Sequence, residues 1–159
     1  MTYDGLIFKG RVYRRSSAVP PKQPEVAGES DVFKCNPQRT RRIKEETGWE
    51  CVFCGTLNLK VVKVAGGTLD DLSAMRALFC ERPEDVKHPS GQRIPEKRGG
   101  YYYYRATASV PGVTQEVLVR RADKPHHKSC LELVAPVKLM DRLHVDEGSQ
   151  VEVAVSSAS

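Results

Sequence analysis

Apolar and polar residues are arranged along this chain mostly with the short period of strands. Leu6-Ile7-Phe8-Lys9-Gly10-Arg11-Val12-Tyr13 predicts a first strand. Glu50 to Val64 predicts a second, with alternation around Thr56 and Asn58. Tyr101–Val110 and Thr114–Arg121 predict a hairpin about Pro111-Gly112. Cys130–Val134 and Gln150–Val155 predict two more strands. Four consecutive tyrosines, Tyr101 to Tyr104, would place two rings on each face, where aromatics pack well.

Helical signals are few and short. Asn36–Thr47 predicts a helix, with Pro37 suited to its first position and Gly48 to the residue after its end. Leu69–Phe79 predicts a short helix, and Val137–Leu143 another. Ser16–Ser30 is rich in Pro, Ser and Gly and reads as a long loop, as does Arg82–Gly100. Many short strands with few helices point to a small β-barrel.

A chain of 159 residues fits one domain with a real core, and 40% hydrophobic residues make it globular. The longest apolar runs are too short to span a bilayer, and the N-terminus lacks a secretory signal. The expected setting is therefore cytoplasmic, with no membrane partner. Five cysteines cannot all pair internally, so free thiols are the default. The net charge of +5 gathers at Arg14-Arg15, Arg39–Lys44, Arg93–Arg98 and Arg120-Arg121. Such clusters either attract polyanions or form a solvated surface.

The candidate chemistry centres on Gly55-Thr56-Leu57-Asn58-Leu59. In an extended strand, Thr56 and Asn58 share one face while Leu57 and Leu59 take the other. A hydroxyl and a carboxamide oxygen there suit Mg²⁺ held jointly with phosphate oxygens, although such a pair on one strand face is more often simply solvent-facing. About 75 residues later comes His126-His127-Lys128-Ser129-Cys130-Leu131-Glu132-Leu133-Val134-Ala135-Pro136, then Val137-Lys138-Leu139-Met140 and an Asp-Glu-Gly turn into the last strand.

These two stretches together resemble the archaeal-type, CTP-dependent riboflavin kinases over roughly residues 43 to 153. The resemblance implies a small, closed six-stranded barrel of the cradle-loop type. Residues 1–155 would form one domain, with a long loop at 14–32 and a tail at 156–159. It implies phosphoryl transfer from a nucleoside triphosphate, CTP by family, to the 5′-hydroxyl of riboflavin, giving FMN and CDP. Thr56 and Asn58 would hold Mg²⁺, Glu132 would bind the flavin, and Val137, Lys138, Leu139 and Met140 would contact the nucleotide through backbone groups; without the resemblance, Glu132 reads as a solvent-facing residue of an alternating strand. Nucleic acid is not an expected partner.

The chain departs from the family in three places. Where the family has a Gly-rich phosphate cradle, this chain has Arg14-Arg15-Ser16-Ser17-Ala18-Val19-Pro20-Pro21. Either Arg14, Arg15 and the serines bind the nucleotide phosphates with side chains, or triphosphate binding has changed. A family Thr at the flavin phosphate falls on Lys124, and a Leu-Arg pair becomes Leu139-Met140. Two other readings compete with the kinase. One is a non-catalytic flavin- or nucleotide-binding module on the same barrel. The other is a basic, zinc-stabilised nucleic-acid-binding domain, in which Cys51 and Cys54 would ligate zinc with Cys35 and Cys80. Simple buried or free thiols are the plainer account of these cysteines. His126-His127 would flank the flavin pocket or serve no role.

Overall fold

The computed structural model describes residues 5–13, 37–53, 55–82, 100–122 and 129–156. Among these residues, seven strands form one antiparallel sheet: β1 (Gly5–Val12), β2 (Leu57–Ala65), β3 (Phe79–Glu81), β4 (Tyr101–Val110), β5 (Val113–Ala122), β6 (Cys130–Val134) and β7 (Gln150–Ser156). Six of them run in the order β4-β5-β6-β2-β1-β7, and β7 pairs back onto β4 to close the barrel. Closure removes the free edges that an open sheet would expose. The short β3 lies outside this ring and pairs with Tyr101–Tyr103 of β4. It shares one edge of β4 with β7, which pairs further along, opposite Arg105–Ser109.

Alternation fills the barrel. Leu6, Phe8 and Val12 of β1, Val117 and Val119 of β5, and Val151, Val153 and Val155 of β7 all point inward. Gly10 completes the β1 row without a side chain. A Cβ there would sit 2.9 Å from Leu59 Cβ, so two strands approach where only hydrogen fits. The β1–β2 register shifts between Lys9 and Gly10, which leaves Val62 out of step and 53% exposed.

The connections close the barrel ends. Leu72, from a 3₁₀ helix at Leu69–Ala74, joins the core after β2. Leu139, Leu143 and Val145, on and after the one-turn helix α2 (Leu139–Arg142), join it after β6. Helix α1 (Pro37–Thr47) packs instead on the outside of the barrel. Its Ile43 meets Phe79, Tyr103, Leu118 and Val134 in a second apolar cluster. The helix ends at Gly48, whose φ of 78° is the left-handed conformation glycine favours, and whose N–H donates to Lys44 O at 2.8 Å.

The hairpin, the tyrosine arrangement and the first and last strands follow the sequence expectations. Tyr104 and Tyr102 face the main core, and Tyr103 and Tyr101 the second cluster. Three elements differ. The second strand begins at Leu57, not Glu50, because Glu50–Phe53 leaves the sheet to dock on Ala135: Phe53 N–H donates to its carbonyl at 2.8 Å. The helix expected over Leu69–Phe79 stops at Ala74, and Phe79 becomes a strand residue because it pairs with Tyr103. α2 is limited to Leu139–Arg142. Among the described residues no helix is long and apolar enough to cross a membrane.

Candidate functional site

The strand pattern that buries Leu57 and Leu59 places Asn58 on the outer face of the barrel. Asn58 pairs in register with Glu132 of β6, Glu132 with Arg120 of β5, Arg120 with Tyr103 of β4, and Tyr103 with Phe79 of β3. One lateral row therefore crosses five strands: Asn58, Glu132, Arg120, Tyr103, Phe79. Nearest neighbours in such a row are close enough for side chains to interact.

Most of the row is locked. Arg120 Nη1 donates to Glu132 Oε2 at 2.8 Å, and Arg120 Nε donates to the Tyr103 hydroxyl at 3.0 Å. The Tyr103 hydroxyl donates to Glu81 Oε2 at 3.2 Å. Arg39 of α1 grips both oxygens of Glu81, at 2.7 and 2.6 Å. Such fork-to-fork contacts are among the strongest polar pairings proteins make. Tyr103 stacks on Phe79 with centroids 4.4 Å apart, and the Arg120 guanidinium lies 3.6 Å from the centre of the Tyr101 ring. The Tyr101 and Tyr103 rings are thus engaged by the protein itself.

Asn58 is the exception. Its Oδ1 is buried and accepts no hydrogen bond among the described residues. A buried carbonyl oxygen without a partner is costly, and such atoms commonly mark a place for a ligand, water or ion. Next to the row, Thr56 lines a cleft. Its other walls include Phe53, Ala135, Val137, Lys138 and Met140. The first strand also ends here: Tyr13 N–H donates to Asn58 O at 3.1 Å.

The fold thus brings Thr56 together with Val137, Lys138, Leu139 and Met140 around one cleft, and Asn58 together with Glu132 beside it. Leu139 buries its side chain in the core, so its backbone is what it offers a ligand. Lys138 is exposed, with Nζ 4.0 Å from Asp141 Oδ2. Glu132 is no solvent-facing strand residue: its side chain is 18% exposed and ion-paired. Arg14, Arg15, Lys124, His126, His127, Cys35 and Cys54 lie outside the described residues. Cys51 directs its thiol to Pro136 O at 3.2 Å, and the described residues contain no group of three or more His, Cys, Asp or Glu that could hold a metal ion. Among the described residues, Cys51, Cys80 and Cys130 form no disulfide.

Sequence reading missed the inner partners. Arg39 and Arg120 belong to the basic clusters read as anion-attracting or solvated, yet they are only 3% and 2% exposed. Glu81 gave no signal at all. A useful hint existed in the Tyr-rich and Arg-rich strands being neighbours in a hairpin, which sets Tyr103 opposite Arg120.

Burial pushes the Tyr103 phenol well above its ordinary value, with Arg120 opposing the shift. The folded protein therefore keeps this proton to higher pH than the unfolded chain. Its contribution to stability is full below about pH 10 and is lost as pH rises beyond that. Melting temperatures measured between about pH 9 and 11 should fall more steeply for the wild type than for Tyr103→Phe. Equal slopes would remove Tyr103 as their source.

This chain is similar to known proteins over most of its length. A protein from Thermofilum pendens named riboflavin kinase is 34% identical over 131 residues, covering 80% of this chain and 54% of that protein. A riboflavin kinase from Sulfurisphaera tokodaii is 23% identical over 128 residues, covering 80% of this chain and 87% of that protein. This chain thus spans little more than half the length of the Thermofilum relative. The family model for CTP-dependent riboflavin kinases, described as domain of unknown function DUF120, matches residues 26–155. With a match over most of its length, and with the strand carrying Asn58 and the strand carrying Glu132 side by side on one closed barrel, the chain belongs to the CTP-dependent riboflavin kinase family.

Proposed function

We propose that this protein is a riboflavin kinase that transfers the terminal phosphoryl group of CTP to the 5′-hydroxyl of riboflavin. The observation that carries this reading is the buried, unpartnered Asn58 Oδ1, set beside Glu132 and next to the cleft that Thr56 lines. The names of the Thermofilum and Sulfurisphaera relatives supply the acceptor, and the family name supplies the donor.

Phosphoryl transfer asks little covalent chemistry of a protein. It asks that donor and acceptor be held in line and that charge on the phosphates be offset. Asn58 and Thr56 offer neutral oxygens, the donor type that suits Mg²⁺ shared with phosphates. Bound there, Mg²⁺ would supply charge neutralisation at the transferred phosphoryl group. The Ala135–Met140 wall would receive the nucleotide, with its backbone groups as the contacts. Glu132 would accept a hydrogen bond from the flavin and orient the acceptor hydroxyl towards the cleft. Arg14 and Arg15 follow directly on Tyr13, whose N–H is bonded to Asn58 O, so their chain positions suit contact with the phosphates. Lys124 would bind the flavin phosphate of the product as a point charge.

The test is direct. Purified protein with riboflavin, Mg²⁺ and each of CTP, ATP, GTP and UTP should form FMN, fastest with CTP. FMN formed faster with another nucleotide would correct the donor alone. Riboflavin binding without turnover under all four would replace the enzyme by a flavin-binding module.

A further inference from the structure

We propose that Arg120 is a positioning residue for the acceptor: it holds the Glu132 carboxylate in the orientation that receives riboflavin. This inference rests on the assignment of Glu132 to the flavin made above.

A glutamate on the outer face of a strand ordinarily keeps its rotamer freedom, and ordering it costs entropy on binding. Glu132 has lost that freedom before any ligand arrives. Arg120 Nη1 holds its Oε2 at 2.8 Å. Arg120 cannot swing away, because it is fixed from other directions. Tyr101 lies against the guanidinium, with its ring centre 3.6 Å from Arg120 Cζ, and Tyr103 accepts from Nε at 3.0 Å. Tyr103 in turn is fixed by Glu81, and Glu81 by the Arg39 fork. The orientation of one half-buried carboxylate is thus set through β5, β4, β3 and α1.

Arg120 is 2% exposed, and taking a guanidinium out of water is expensive. For packing alone, an apolar side chain of similar volume serves as well or better. The arrangement differs from a closed structural pair in one respect. Arg39 and Glu81 bury both partners, with side chains 2% and 5% exposed, whereas Arg120 at 1% meets a Glu132 side chain at 18%. The chain of contacts runs from the interior outward and ends on the carboxylate that adjoins Asn58. Preorganised groups of this kind act by removing the cost of orientation at the moment of binding.

A double-mutant cycle on the full chain separates this role from a structural one. Riboflavin affinity is measured by calorimetry, without nucleotide, for wild type, Arg120→Met, Glu132→Gln and the double variant. CTP affinity and melting temperature are measured alongside. Arg120→Met and Glu132→Gln should each weaken riboflavin binding about tenfold, and the double variant should be no weaker than either single one. CTP affinity should change less than about twofold, as for a site the change does not reach. Arg120→Lys should restore only part of the loss, since an ammonium lacks the planar fork that reaches Glu132 and Tyr103 together. Should Arg120→Met fail to fold, the same cycle is run with Arg120→Lys. Additive losses in a folded pair would overturn the proposal, as would unchanged riboflavin affinity or an equal loss of CTP affinity. A wild type that binds CTP but no riboflavin overturns the flavin assignment of Glu132, and this proposal with it. A wild type that binds riboflavin while the cycle is additive overturns the positioning role alone.

Discussion

Asn58→Ala should reduce phosphoryl transfer by about a hundredfold or more, comparable to losing one strong electrostatic contact at a reacting centre. The melting temperature should stay within a few degrees of the wild type. Both halves of this expectation follow from the same atom. Asn58 Oδ1 is buried and accepts nothing from the described protein. Removing it breaks no hydrogen bond among the described residues and relieves a desolvated acceptor, so the fold loses little. If the oxygen serves a cation held with the donor phosphates, catalysis loses a group that orients charge. Thr56→Val tests the second oxygen with nearly unchanged volume, and its loss should be of the same order. FMN formation at saturating riboflavin, with Mg²⁺ varied, is the measurement. Near-normal turnover in both folded variants would remove these residues from the metal site.

The second large effect concerns stability. Glu81→Ala should destabilise the protein by about 3–5 kcal/mol, because it leaves the Arg39 guanidinium buried without its carboxylate. Arg39 and Glu81 are 3% and 4% exposed, and the Tyr103 hydroxyl loses its acceptor in the same change. For a domain of this size that corresponds to a melting temperature lower by roughly 10 °C or more. The double variant Arg39→Met/Glu81→Met should be more stable than Glu81→Ala, since it removes both charges and keeps apolar volume. Thermal unfolding of the three proteins decides it. A Glu81→Ala protein as stable as the wild type would mean that water reaches Arg39 and that the pair is not closed.

The strands and their faces were legible because a period-two pattern is local. Leu57 and Leu59 on one side, and Asn58 on the other, can be read from five consecutive residues. The barrel followed from many short strands, and its closure and strand number from the family resemblance. The resemblance also linked two stretches that no local pattern connects. Thr56 marks the limit of local reading. It was expected inside a strand, yet it precedes Leu57, where β2 begins, because the preceding segment is held by Ala135.

What the sequence by itself determined was which residues face the core and which face outward, including the outward placing of Asn58. Only the tertiary structure decided which outward charges are buried. Arg39 and Glu81 lie 42 residues apart, and nothing near either one announces the other. Arg120 reads as half of a basic surface pair until helix α1, β3 and the tyrosines of β4 cover it. The reason is physical. Alternation depends on neighbours along the chain, whereas a charge is tolerated inside only where partners from distant segments arrive to replace water. Strand register and the docking of α1 supply those partners, and they are properties of the assembled barrel.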